Sequence, residues 1–287
     1  MPDDLRKLVE AELSQPVDQQ VTTMAEAIAA QHGSASRAVL FYGSCLREKQ
    51  LDGLMLDFYL IVSDYGAAYD KGWLARANAL IPPNVFTFQH DGLAAKYAVL
   101  SEADFHRLNG PETRNVSVWA RFAQPSRLVW ARDNAAGDKA VAAVARAAPA
   151  LLAAARPYPH GDELEPWRHA FSLTYSAELR AERKGRSVSI VDTDPDRYRR
   201  FLEPALAAIE PNASKGDWPR RRFEGKLLSV ARLAKASLTF AGGAEYIAWK
   251  INRHAGTEIQ LKPWQKRHPL LAAISLLPRL LRSGAIR

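Results

Sequence analysis

The chain has 287 residues, 47% of them hydrophobic and 24% charged, with seven histidines, one cysteine and a formal net charge of +8. That is enough apolar content to bury a core and enough length for two domains, while the single Cys45 excludes an internal disulfide or a cysteine-built zinc cage and the histidines show no paired ligand spacing. No run reaches the roughly 18 to 20 consecutive apolar residues of a spanning helix, and the acidic, amphipathic opening MPDDLRKLVEAELSQ is unlike a signal or transit peptide, so a cytosolic protein without a transition-metal site is expected.

Residues 1–35 alternate polar and apolar positions at helical spacing, in LRKLVEAEL and again in TMAEAIAAQ, and end at Gly33. This predicts two short helices. Runs rich in β-branched and aromatic residues follow: AVLFY, MLDFYLIV, NVFTFQH and AAKYAVLS, then VSVWARF and RLVWAR on either side of a Gln-Pro turn. They predict five or six strands in one mixed sheet. Helical patterns lie between some of them, KGWLARANALI and then SEADFHRL, whose Ser101 and Asp104 resemble a capping box. After Asp133 the alanine-rich AVAAVARAAPALLAAARP and nearly all that follows have helical period, which places a domain boundary near residue 135.

VLFYGSCLREKQL reads as strand, tight turn and helix. Such a turn turns the backbone amides after Gly43 and the Ser44 hydroxyl outward at a helix N-terminus, a cradle for phosphate oxygens. Asp57 falls inside the next strand, flanked by Leu56 and Phe58, where an unpaired carboxylate is costly. A carboxylate beside that turn can hold Mg²⁺ against a bound triphosphate, because Mg²⁺ takes a few carboxylates together with phosphate oxygens. The layout resembles the nucleotidyltransferase superfamily, except that its second acid, two residues after the first, is here Tyr59. A solvent-facing Asp57 on an edge strand is the plainer alternative.

Several blocks, in order, resemble a narrower family: the mitochondrial-type phosphatidate cytidylyltransferases, the CDP-diacylglycerol synthases of the mitochondrial translocator assembly and maintenance protein family. They are YGS at 42–44, MLDF at 55–58 where the family has Met-Ile-Asp-Phe, DGLAAKYAVLS at 91–101, WARFAQP at 119–125, LTYSAELR at 173–180 and KASLTFAGGAEYIAWK at 235–250. That family too has an apolar residue at the position of Tyr59. Cys45 departs from its usual glycine, and Glu178 stands where an aspartate is more usual. The resemblance implies an α+β protein: a nucleotidyltransferase-like mixed-sheet domain over 1–135, a helical substrate-binding domain over 136–250 and a basic helical tail over 251–287. It implies Mg²⁺-dependent reaction of CTP with phosphatidic acid to give CDP-diacylglycerol and pyrophosphate. The acceptor is a phosphate monoester with a second pKa near 6, so no strong general base is required and catalysis is mostly positioning and charge neutralisation.

On this reading Asp57 is the metal ligand. Asp91, in His-Asp-Gly, is either a second ligand or ordinary turn chemistry. Lys96, in a strand of small and apolar residues, either meets a phosphate or points to water from an edge. Arg121 offers a guanidinium for bidentate phosphate contact, or pairs with a core acid. Glu178 and Arg180, two apart in a helical pattern, do not face each other, so one of them can close over the nucleotide or lipid while the other is structural. Tyr175 and Ser176 are open in the same way.

Between Lys250 and Arg287 eight basic residues stand against Glu258 alone, and Pro269 to Leu281 is apolar. Such a tail suits an anionic membrane surface better than a nucleic-acid cleft, and predicts peripheral association with the inner face of the membrane without nucleic-acid binding. Its alternative is a helix packed on the core. Two other functions stay open: nucleotidyl transfer to a different acceptor such as tRNA, an antibiotic or a protein, and a nucleotide- or lipid-binding scaffold without turnover.

Overall fold

The computed structural model describes residues 3–47, 51, 54–179, 186–210, 213, 216–239 and 262. It opens with α1 (Asp3–Leu13), which buries Leu5, Val9, Glu12 and Leu13 at helical spacing, and α2 (Gln19–Ala30), where the Asp18 carboxylate accepts the Gln20 N–H at 2.8 Å. There follow β1 (Ser36–Tyr42), β2 (Met55–Val62), α3 (Tyr65–Ala68), α4 (Gly72–Leu80), β3 (Asn84–His90), β4 (Leu93–Ser101), α5 (Glu102–Leu108), α6 (Trp119–Phe122) and β5 (Ser126–Ala131). The elements described after β5 are all helices: α7 (Asn134–Ala145), α8 (Ala147–Ala154), α9 (Glu165–Ala177), α10 (Arg186–Thr193), α11 (Pro195–Ala207) and α12 (Trp218–Thr239).

The protein is α+β, and among the described residues five strands form one sheet in the order β3-β4-β2-β1-β5. β2 and β4 run parallel while the other neighbours are antiparallel, so the sheet is mixed. Strand alternation sends Leu40, Tyr42, Tyr59, Ile61, Ala98 and Leu100 to one face and Val39, Phe41, Phe58, Leu60 and Val99 to the other. The second face is covered by α2 through Val21, Met24 and Ile28. On the first face one apolar cluster runs from the sheet through α1 and α6 into α7, α8, α9 and α11. Each fully buried side chain of Phe or Leu size in it contributes about 1.5–3 kcal/mol relative to exposure. Ser101 caps α5 as anticipated, its hydroxyl accepting the Asp104 N–H at 3.1 Å.

Two expected elements differ. VSVWARF is not a strand: it enters the four-residue helix α6, with Ala120 and Phe122 N–H groups bonded back to the Val116 and Val118 carbonyls. Val116, Val118, Trp119, Ala120 and Phe122 are all buried, so the segment has no polar face and its period is uninformative. SCLREKQL forms a single 3-10 turn over Ser44–Arg47 in its described part, rather than the start of an α-helix.

α12 crosses the end of α9 at Gly225, where a Cβ would stand 2.2 Å from the Ala177 carbonyl oxygen, so only glycine permits the approach. No described helix is long and apolar enough to cross a membrane. The predicted tail over 251–287 lies outside the described residues except for Lys262, and so does Arg180.

Candidate active site

The sheet brings Asp57 and Lys96 together. They are directly opposite in the parallel β2–β4 register, on the face that also carries Tyr59 and Ala98, and Lys96 Nζ lies 2.8 Å from Asp57 Oδ1. Both are largely enclosed, with 19% of the Asp57 and 24% of the Lys96 side chain exposed. Lys96 is therefore not a water-facing edge residue, because β4 lies between β2 and β3. On the other side of Asp57, β1 ends at its partner Tyr42 and the chain turns at Gly43 with φ +95°. A Cβ at Gly43 would stand 3.2 Å from Asp57 Oδ2. The left-handed backbone favours glycine, and a Cβ would in addition crowd the carboxylate by a few tenths of an ångström. The next residue, Ser44, is exposed at the start of the 3-10 turn.

α6 supplies Arg121. Its Nη1 donates to the Tyr59 hydroxyl at 3.0 Å and to the Ser117 carbonyl at 3.3 Å, and the guanidinium lies 5.1 Å from the Tyr42 ring centre. Burial opposes its charge, but Tyr42, Tyr59, Glu178 and Asp57 around it outweigh that and hold it protonated, well above the ordinary arginine value. Tyr59, in the place of a second acid, thus works as a hydrogen-bond partner that fixes the arginine. Glu178 ends α9 in extended backbone, with its charge felt by both Arg121 and Arg232.

Two basic residues of α12 escaped the sequence reading. Arg232 donates to the Pro82 carbonyl from Nε and Nη2 at 2.8 and 2.6 Å and to Ser117 Oγ at 2.7 Å. Lys235 donates to the carbonyls of Ile81 and Pro83. Burial, reinforced by Arg232, pushes the Lys235 ammonium down to about 7. Their spacing with Arg221 puts three cations on one buried face of a helix, the reverse of the usual amphipathic pattern, and that reversal was the available signal.

Asp91 is not brought to this centre. Asp91 and Gly92, with φ +48° and +78°, form the two-residue turn joining β3 to β4, and the Asp91 side chain is 73% exposed with Oδ2 3.4 Å from His90 Nε2. Leu93 to Lys96 alone spans about 10 Å of strand. The turn-chemistry alternative accounts for Asp91, because aspartate before glycine suits a hairpin needing two left-handed residues.

No cluster of three or more His, Cys, Asp or Glu that could hold a metal occurs among the described residues. Asp57 fits a cation in a more limited way. Its buried Oδ1 has the Lys96 ammonium as a charge contact but no properly directed hydrogen bond among the described residues, leaving lone pairs on a hard oxygen. That is the donor chemistry Mg²⁺ prefers when phosphate oxygens supply the remaining ligands.

Comparison with known proteins adds little. No protein-family model matches the chain, and no curated protein matches it. Among solved structures, a nucleotidyltransferase-like protein from Exiguobacterium sibiricum is similar over 92% of each chain, at 12% identity and a TM-score of 0.28. A likeness that slight carries no argument about function.

Proposed function

We propose that the protein is a nucleotidyltransferase, and specifically a phosphatidate cytidylyltransferase that joins CTP and phosphatidic acid into CDP-diacylglycerol and pyrophosphate. The observation that carries the reading is the arrangement at the ends of β1 and β2: a left-handed Gly43 pressed against the Asp57 carboxylate, with Lys96 paired to it from the adjacent parallel strand. The sequence blocks around these residues supply the substrate class.

In this reading the turn after Gly43 and the Lys96 ammonium receive the triphosphate, and Asp57 with phosphate oxygens holds Mg²⁺. The bound metal would neutralise charge on the triphosphate as pyrophosphate departs. Arg121, kept protonated and oriented by Tyr59, faces the anionic acceptor and offers it two parallel N–H groups. Oriented cations of this kind act on developing charge without reorganising during reaction. No side chain need remove a proton, because the lipid phosphate is largely dianionic at neutral pH.

A membrane-confined acceptor also suits the outward face of α12. Phe223 and Leu227, 72% and 62% exposed, stand one turn apart among exposed Arg220, Arg222 and Lys226, the composition of a surface that meets anionic lipid. Association of the basic tail with the same surface belongs to this proposal.

The test is to incubate purified protein with Mg²⁺, phosphatidic acid and each of the four nucleoside triphosphates labelled at the α-phosphate. Labelled lipid from CTP supports the proposal. Label entering tRNA, protein or an aminoglycoside instead would move the acceptor to another class, and tight CTP binding without product would leave a scaffold.

A further inference from the structure

A separate feature lies between α8, the loop after α5, the end of α11 and the start of α12. A cavity of ≈ 200 Å³ there is lined by Trp119, Ala150, Ala153, Ala154 and Arg221 among others. It adjoins a second of ≈ 150 Å³ that shares Pro111, Ala150, Ala153, Glu210 and Ala213 with it. Together they form a trough with alanines and prolines along one side and Glu112, Thr113, Arg146, Glu210 and Arg221 around its ends and rim.

Arg221 sits at one end and is 8% exposed. Its Nη1 donates to the carbonyls of Thr113 and Arg114 at 3.2 and 2.9 Å, and its guanidinium lies 5.9 and 5.8 Å from the rings of Trp119 and Trp218. Its Nε is buried and has no acceptor among the described residues. A buried charged donor left unfilled is disfavoured, and a cavity bordering it gives an acceptor somewhere to sit. The acids near Arg221 are engaged elsewhere: Glu224 is held by Arg114 and Arg220, and Glu112 on the cavity wall by Arg146. Glu210 is exposed at the rim. Gly216 packs against this end of the side chain, where a Cβ would stand 2.7 Å from the Ala154 carbonyl oxygen and 3.2 Å from Arg221 Nε.

We propose that this trough is a second binding site, for a small amphiphilic anion whose carboxylate or phosphate head meets Arg221 while a short aliphatic chain lies along the alanines of α8. A cavity of ~150 Å³ is enough for a molecule the size of benzene, so the two adjoining spaces have room for a short acyl chain along their alanine side. The site does not rest on the nucleotidyl-transfer reading, and its ligand is distinct from the nucleotide.

Calorimetric titration of the full chain with octanoate, octyl phosphate, octanol and inorganic phosphate tests it. Octanoate and octyl phosphate should bind one to one, with octanol and inorganic phosphate at least tenfold weaker, because each lacks one half of the recognised chemistry. A preference between the two octyl anions identifies the head group. Arg221→Lys should weaken octanoate at least tenfold. Ala153→Leu, which fills the trough and leaves the cation in place, should do the same, and it carries the test if the arginine variant does not fold. Octanoate binding should be unchanged by saturating CTP and by Asp57→Asn. Absence of saturable binding, parental affinity in both trough variants, or competition by CTP would each overturn the assignment.

Discussion

Replacing Glu12 by Gln tests how the helical layer fixes α6, the helix that carries Arg121 of the proposed site. Glu12 of α1 accepts from both Nε and Nη2 on one edge of the Arg197 guanidinium of α11, the Nη2 to Oε1 distance being 2.9 Å. The Arg197 side chain is only 3% exposed, lies 4.4 Å from the Phe201 ring centre, and donates through Nη1 to the Ala123 carbonyl at 3.0 Å. Ala123 closes α6, so the pair ties α1 and α11 to the helix carrying Arg121. Glutamine keeps the volume but removes the charge and turns an amide N–H₂ toward a buried cation, for which removal of one partner costs about 3–5 kcal/mol. Across 287 residues the unfolding entropy is about 0.6 kcal/mol/K, so the melting temperature should fall by about 5–8 °C. Calorimetry and urea denaturation measure it. The apolar double variant Glu12→Leu, Arg197→Met should recover much of the loss, since it leaves no charge buried. A fall below about 2 °C for Glu12→Gln, or a double variant no better than the single, would refute the argument.

Gly43→Ala places a side chain in left-handed backbone and against Asp57 Oδ2. It should cost about 1–2 kcal/mol in denaturation and depress turnover further than stability. Arg121→Lys keeps charge but loses the planar fork, and should lower kcat/KM at least tenfold with the melting curve little changed. Asp91→Asn should leave turnover within twofold of the parent, since the turn tolerates asparagine; loss of activity would return Asp91 to the site. Lys235 is pushed down to about 7 when folded, against 10.5 unfolded. The unfolded chain therefore holds the extra proton between these values, the destabilisation present below pH 7 is relieved as pH rises, and urea midpoints should climb from pH 7 to 9.5 more in the parent than in Lys235→Met.

The sheet was legible because its strands are rich in β-branched and aromatic residues and bounded by turn residues, and Asp57 stood out as a carboxylate inside an apolar run. α6 was not, since a segment buried on every side shows neither the helical nor the strand period. The Gly-Ser turn was legible, but Ser44–Arg47 is a 3-10 turn where an α-helical start was expected, because a 3-10 turn and a first helical turn share the same local signals. Lys96 could be listed from sequence as a phosphate contact, whereas its ion pair with Asp57 depends on the β2–β4 register, a long-range fact. Arg232 and Lys235 reach carbonyls some 150 residues earlier in the chain, which no local pattern encodes. Asp91 was ambiguous because a hairpin turn and a metal ligand both favour aspartate.

Asp57→Asn, assayed with α-labelled CTP, phosphatidic acid and Mg²⁺ beside the parent protein, bears most directly on the central claim. Asparagine fits the same space beside Gly43 and Lys96 but carries no charge for a cation. The account predicts labelled CDP-diacylglycerol from the parent and at least a thousandfold slower formation by a folded variant, a loss of about 4 kcal/mol in transition-state stabilisation. Product from Asp57→Asn at the parental rate would contradict it.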